Sequence, residues 1–143
     1  MIVRSATQED LTGVMEIDKL SFSKPWDRQF LENISKAIFL VLGEQEVYGF
    51  LIAGCGNRNV SATVLKLAVH PEHRRKGIAT NLINKLAEML RDRQIDEVEV
   101  IVVKTCKPAI SLYKKVGFKL VSTIPQVSNN DDLCVMILKL SED

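Results

Sequence analysis

The chain has 143 residues, with 19 Lys and Arg against 18 Asp and Glu, and this length suits one hydrophobic core and a single domain over 1–143. So even a charge balance argues against nucleic-acid or membrane-surface binding by the chain as a whole, and any anion site must be local. The opening MIVRSATQED lacks the apolar core of a secretory leader, and no apolar run is long enough to cross a bilayer. Three cysteines, Cys55, Cys106 and Cys134, lack C-x-x-C spacing, so a disulfide framework and a structural zinc site are not expected, and a reducing cytoplasm is.

The elements read in order along the chain. Ile2–Ala6 alternates as a short strand. Thr7 and Asp10 suit a capping box, and Leu11, Val14, Met15 and Leu20 supply the apolar stripe of a first helix. Pro25 breaks it, and Asp27 can cap a second short helix through about Lys36. Phe39–Leu42 and Val47–Gly54 form a hairpin around a Gly43–Glu46 turn, and Val60–Val69 is a fourth strand. Ile78, Leu82, Ile83, Leu86 and Leu90 mark a long third helix ending near Asp92, before the β-branched strand Val98–Val103. Pro108 to Val116 is a short helix stopped by Gly117. Lys119–Ile124 and Leu133–Leu140 close the chain as an antiparallel pair across VSNNDD. The strand–helix–strand unit from Val60 to Val103 calls for a parallel pair joined by a right-handed crossover. The sum is a mixed sheet with helices on its faces.

The stretch LAVHPEHRRKGIATNLI places His73, Arg74, Arg75 and Lys76 just ahead of a helix N-terminus. Positive charge there opposes the helix dipole, so the arrangement costs stability unless an anion sits among it. Free backbone N–H groups, Gly77 and small Ala79 would let a pyrophosphate approach. Neither G-x-x-x-x-G-K-[ST] nor G-x-G-x-x-G after a strand is present. Taken alone, R-x-x-G-x-A favours a basic solvated turn.

Together with PAISLYKKVGFKL downstream, the stretch resembles the GCN5-related N-acetyltransferase (GNAT) family. Arg74, Gly77 and Ala79 match its Q/R-x-x-G-x-G/A signature, and Leu112, Tyr113, Gly117 and Phe118 match its L-Y-x-x-x-G-F segment. SFSKPW, Ser21 to Trp26, is similar to the N-terminal segment of ribosomal-protein alanine N-acetyltransferases. The resemblance implies an α/β (α+β) fold whose mostly antiparallel sheet has about seven strands, with about four helices on its faces. Strands four and five would be a parallel pair that splays apart, with acetyl-CoA in the gap. It also implies that the amides of Arg75, Lys76, Gly77, Ile78, Ala79 and Thr80, with Arg74 nearby, hold the pyrophosphate. Leu67, Ala68 and Val69 would pair with the pantetheine as an added strand, and an N–H near Val69 would polarise the thioester carbonyl. Tyr113 would be the general acid toward the departing sulfur, although a helix tyrosine can equally pack on the core.

Three positions depart from the family pattern. Ile101 stands where the alanine N-acetyltransferases have a glutamate, and Glu99, two residues earlier on the same strand face, could serve as base through a water or be a plain surface carboxylate. Cys106 stands where an asparagine commonly bonds the cofactor; a thiol is a poorer donor, and a small packed cysteine is the competing reading. STIPQVSNNDDL is short and lacks the tyrosines often found beside an acceptor peptide. Phe22 and Trp26 could wall the acceptor's first residue or staple two helices. His70 and His73 read as surface histidines, and Arg58, Lys66 and Lys104 as solvated strand-end charges.

The leading expectation is therefore acetyl-CoA-dependent acetylation of a protein or peptide α-amine, by a monomer or homodimer that needs no metal. Alternatives are a small amine as acceptor (polyamine, amino acid or aminoglycoside) or a non-catalytic acyl-CoA-sensing module. Nucleic-acid binding through His73–Lys76 is a poor fit, because no aromatic residues are interleaved among the basic ones.

Overall fold

The computed structural model describes residues 2–33, 37–55, 60–125 and 131–141. Seven strands form one sheet in the order β1-β2-β3-β4-β5-β7-β6, and the chain groups into two compact units.

The first unit comprises Met1–Gly54 and Leu65–Met89. Its strands are β1 (Val3–Ser5), β2 (Ile38–Leu42), β3 (Gly49–Cys55) and the latter part of β4 (Ser61–Val69). β1 pairs antiparallel with β2, and β2 with β3, as the hairpin pattern predicts. Helix α1 (Leu11–Ser21) follows a 3-10 turn, Gln8–Asp10, and α2 (Arg28–Glu32) follows the Pro25 break. Asp27 caps α2 by accepting from Phe30 N–H at 2.8 Å. Leu11, Val14, Ile17, Leu31, Phe50, Ile52 and Ala68 form a core cluster. Leu20, expected in the apolar stripe of α1, is exposed, and Ile17 takes its place, because Leu11, Val14, Ile17 and Asp18 follow the helical repeat.

Helix α3 (Ile78–Asp92) buries Ile78, Leu82, Ile83, Leu86 and Leu90, each worth about 2 kcal/mol of apolar transfer. Its first turn lies hard against β3. A Cβ at Gly49 would stand 2.7 Å from Ile78 Cγ2 and 3.2 Å from the Ala68 carbonyl oxygen, so only glycine admits this approach.

The second unit comprises Cys55–Val64 and Leu90–Asp143. Here the first part of β4 runs parallel to β5 (Glu97–Val103), in register from Ser61↔Glu97 to Val64↔Val100. β5 pairs antiparallel with β7 (Leu133–Lys139), and β7 with β6 (Lys119–Ile124) across a register shift between Leu120 and Ser122. All six residues of the terminal strand β6 are exposed. Helix α4 (Lys107–Val116) ends at Gly117, whose φ of 124° only glycine adopts without strain. Among the described helices none is long and apolar enough to cross a membrane. Lys36, Arg58 and most of the VSNNDD loop lie outside the described residues.

Candidate active site

The segment after β4 is built to leave amides free. His70 N–H reaches back to the Tyr48 carbonyl at 2.8 Å, and Pro71–His73 makes one 3-10 turn. Arg75 and Gly77 then take positive φ values of 65° and 76°, and Asn81 N–H closes the first α3 bond onto the Gly77 carbonyl at 3.0 Å. Among the described residues, none of the backbone N–H groups from Arg75 to Thr80 has a hydrogen-bond acceptor. Left-handed residues in such a turn can aim neighbouring N–H groups toward one side, a concavity that takes anions. A Cβ at Gly77 would meet nothing within 4 Å, so the space beside that residue is open. Arg74, Arg75 and Lys76 are exposed around it, and Arg74 Nε is 3.4 Å from the Val69 carbonyl.

Strand alternation decides which backbone groups of β4 are available. The His70 amide and the Ala68 carbonyl both face β3, so the amides and carbonyls of Leu67 and Val69 point to the opposite edge. A cofactor paired along that edge would meet Leu67 and Val69, while the Ala68 side chain packs in the core.

Lys66 overturns its expectation as a solvated charge. It is buried, because it lies in phase with Val64 and Ala68, whose side chains also face inward. Its ammonium is 2.6 Å from Asp18 Oδ1 and sits over the Trp26 ring at 4.3 Å and the Phe22 ring at 4.8 Å. Asp18 Oδ2 accepts from the Trp26 N–H at 2.8 Å. Trp26 also packs on Phe30 of α2, with centroids 4.8 Å apart.

The two histidines are paired locally. His70 Nδ1 accepts from Glu72 N–H at 3.1 Å, and His73 stacks on Tyr48 with centroids 4.2 Å apart. His70, Glu72 and His73 bring three ligand-type atoms within 4.8 Å of one another, but the Lys76 ammonium lies 3.3 Å from His73 Nδ1. A neighbouring ammonium opposes cation binding there.

In the second unit, the Y-x-x-x-G-F spacing is a helix-ending device. Gly117 N–H bonds the Lys114 carbonyl at 3.1 Å and Phe118 N–H bonds the Tyr113 carbonyl at 2.9 Å, the two bonds of a Schellman cap. The apolar contact that accompanies such a cap is here the edge-on pair Tyr113–Phe118, with centroids 5.2 Å apart. Tyr113 is thus held at a fixed place on α4. Burial, with a smaller effect of Cys106, pushes its phenol up to about 12.

Cys106 is exposed and stands at the N-cap of α4, so it is not the small packed core residue that one reading expected. Glu99 is half-buried in the middle of β5, opposite Ile137 and Thr63. It shares a strand face with the exposed Ile101, while Val98, Val100 and Val102 are buried on the other.

Comparison with known proteins gives the same picture. An N-alpha-acetyltransferase of Saccharolobus solfataricus is 28% identical, over 85% of this chain and 82% of its own. A Bacillus subtilis protein proposed to be the ribosomal protein bS18-alanine N-acetyltransferase is also 28% identical, over 98% of this chain and 96% of its own. The fold superimposes on an aminoglycoside 6'-N-acetyltransferase solved with coenzyme A, with a TM-score of 0.87 at 15% identity, covering 100% of this chain and 99% of that one. The family model for the acetyltransferase (GNAT) family matches residues 11–118. With signature, fold and family match in agreement, this chain belongs to the GNAT family and is an N-acetyltransferase.

Proposed function

We propose that the protein transfers the acetyl group of acetyl-CoA to the N-terminal α-amine of a protein or peptide. The observation that carries the reading is the run of N–H groups from Arg75 to Thr80 without acceptors among the described residues, beside the exposed Arg74, Arg75 and Lys76. A diphosphate supplies the oxygens and the charge those groups lack. The family match through both compact units supports treating 1–143 as one transferase domain. Three free cysteines suit a cytoplasmic setting.

When bound, acetyl-CoA supplies an activated thioester. Arg74 to Thr80 would hold its diphosphate, and the free edge of Leu67 and Val69 its pantetheine. An edge N–H would donate to the carbonyl oxygen as negative charge develops there. The amine nitrogen forms its bond to the acetyl carbon, the carbon–sulfur bond breaks, and the amine gives up a proton. Tyr113 stays protonated at neutral pH and, in the role the family resemblance implies, would donate to the departing thiolate. Glu99 is the available carboxylate for collecting the amine proton through water.

Ile101 favours an α-amine as acceptor. An α-amine has a pKa of about 8 and a lysine about 10.4, so deprotonating the lysine costs roughly 3 kcal/mol more. About a tenth of an α-amine is already neutral at pH 7. A site with only an indirect base can use the first and not the second. The relatives named for N-alpha and ribosomal-protein alanine acetylation support this choice.

The test is turnover with acetyl-CoA against peptides varied at their first residues, N-terminally blocked lysine peptides and a panel of small amines, read by mass spectrometry. Acetylation of free N-termini is expected. Preference for lysine or for a small amine at neutral pH would overturn the acceptor assignment.

A further inference from the structure

The ammonium of Lys66 is enclosed by groups that come almost wholly from one short segment. Asp18 Oδ1 lies at 2.6 Å, the Lys24 carbonyl at 3.4 Å, and the rings of Trp26 and Phe22 cover two further sides. The other oxygen of Asp18 accepts from the Trp26 backbone. One carboxylate therefore ties the last turn of α1, the loop that follows it and β4 together. Burying two charges is an inefficient way to gain stability, since apolar residues of similar volume do as well or better. What the pair supplies is a single geometry for the loop.

That loop carries Phe22 and Trp26, and Lys66 is the residue directly before Leu67, where the free backbone edge of β4 begins. Because the ammonium already occupies the ring faces turned toward it, those faces are closed to the amine of an acceptor. Both residues are only half-buried, and an acceptor would meet the parts of the two rings that stay exposed.

Resting on the N-acetyltransferase reading above, we propose that Asp18 and Lys66 are a positioning pair that fixes the Phe22–Trp26 loop for capture of the acceptor amine and leaves acetyl-CoA binding untouched. The variants are Lys66→Met, Lys66→Arg and the charge-free double Lys66→Met/Asp18→Asn, the double guarding against a fold lost to an orphaned charge. Trp26 is the single tryptophan of the chain, so its fluorescence reads this loop alone.

In Lys66→Met and in the double variant, acceptor kcat/KM should fall by roughly tenfold or more, chiefly through KM, with acetyl-CoA affinity by calorimetry held within about twofold. Trp26 emission should shift to the red and become more open to acrylamide, and Lys66→Arg should restore part of both. A folded double variant with unchanged acceptor KM and unchanged Trp26 emission would overturn the proposal. So would parallel loss of acetyl-CoA affinity, which would mark the pair as general scaffold. Wild-type protein that fails to bind acetyl-CoA would instead overturn the transferase mechanism, and the Trp26 measurement would still decide whether the pair places the loop.

Discussion

Arg4 and Asp10 clasp each other through two parallel hydrogen bonds, Nη1 to Oδ2 at 2.7 Å and Nη2 to Oδ1 at 2.8 Å. Asp10 Oδ2 also accepts from the Thr7 amide at 2.8 Å and the Thr7 hydroxyl at 3.1 Å, so one side chain joins β1 to the start of α1. The Arg4 hydrogen bond, reinforced by Thr7 and opposed by burial, holds the Asp10 carboxyl below its ordinary value of 3.8. A lowered carboxyl stabilises the fold above its unfolded pKa, and that contribution disappears as pH falls through the folded one. Asp10→Ala should cost about 2 kcal/mol at neutral pH, and thermal melts should show its deficit shrinking below about pH 4.

Substitution at the anion cradle separates conformation from charge. Gly77→Ala forces a side chain into a φ of 76° and points a methyl into the space the diphosphate would use. Stability should drop by about 1 kcal/mol, and acetyl-CoA affinity by roughly tenfold or more in calorimetry. Arg75→Gly relieves the strain at a φ of 65° while removing a cation. It should melt higher yet bind acetyl-CoA more weakly, the first from the relieved backbone and the second from the lost charge.

Tyr113→Phe keeps the ring contact with Phe118 and loses only the hydroxyl. A fall in kcat of roughly a hundredfold with little change in acetyl-CoA affinity is expected from single-turnover and binding measurements. Because burial raises this phenol to about 12, the rate should show no falling limb from it between neutral pH and about pH 10. Its raised pKa adds stability that is complete below the ordinary value of 10.0 and is lost as pH climbs toward 12.

Glu99→Gln addresses the proton from the amine. If Glu99 collects it through water, kcat/KM at pH 7 should fall by roughly tenfold and the deficit should close above the amine pKa of about 8. A deficit that persists at high pH would assign Glu99 to packing. Ile101→Glu places a second carboxylate on the same face and should raise the neutral-pH rate toward lysine peptides.

The parts of the site that could be read from the sequence are those with a local physical cause. The cradle shows in RRKGIAT because its glycine, its cations and the helix start all fall within one turn. The place of Tyr113 shows in Y-x-x-x-G-F because that spacing is itself a helix-ending geometry. The charge of Lys66 alone suggests a solvated side chain, but its phase along β4 does not. Its alternation with Val64 and Ala68 puts it on the buried face, and Asp18 falls on the buried stripe of α1 seven residues after Leu11. Two opposite charges, each in phase with an inward face, are a legible sign of a buried pair. The partnership itself joins residues 48 positions apart and required the fold to be seen.

The register shift in β6 has a consequence for handling the protein. β6 closes the sheet, and Leu120, Val121 and Ile124 are all exposed on it, so a straight strand here would be a template on which further copies could stack. The extra residue between Leu120 and Ser122 spoils the match that such stacking needs, and Lys119 sets a charge at its start. Deleting Val121 would straighten that border and should make the protein more prone to precipitate on concentration.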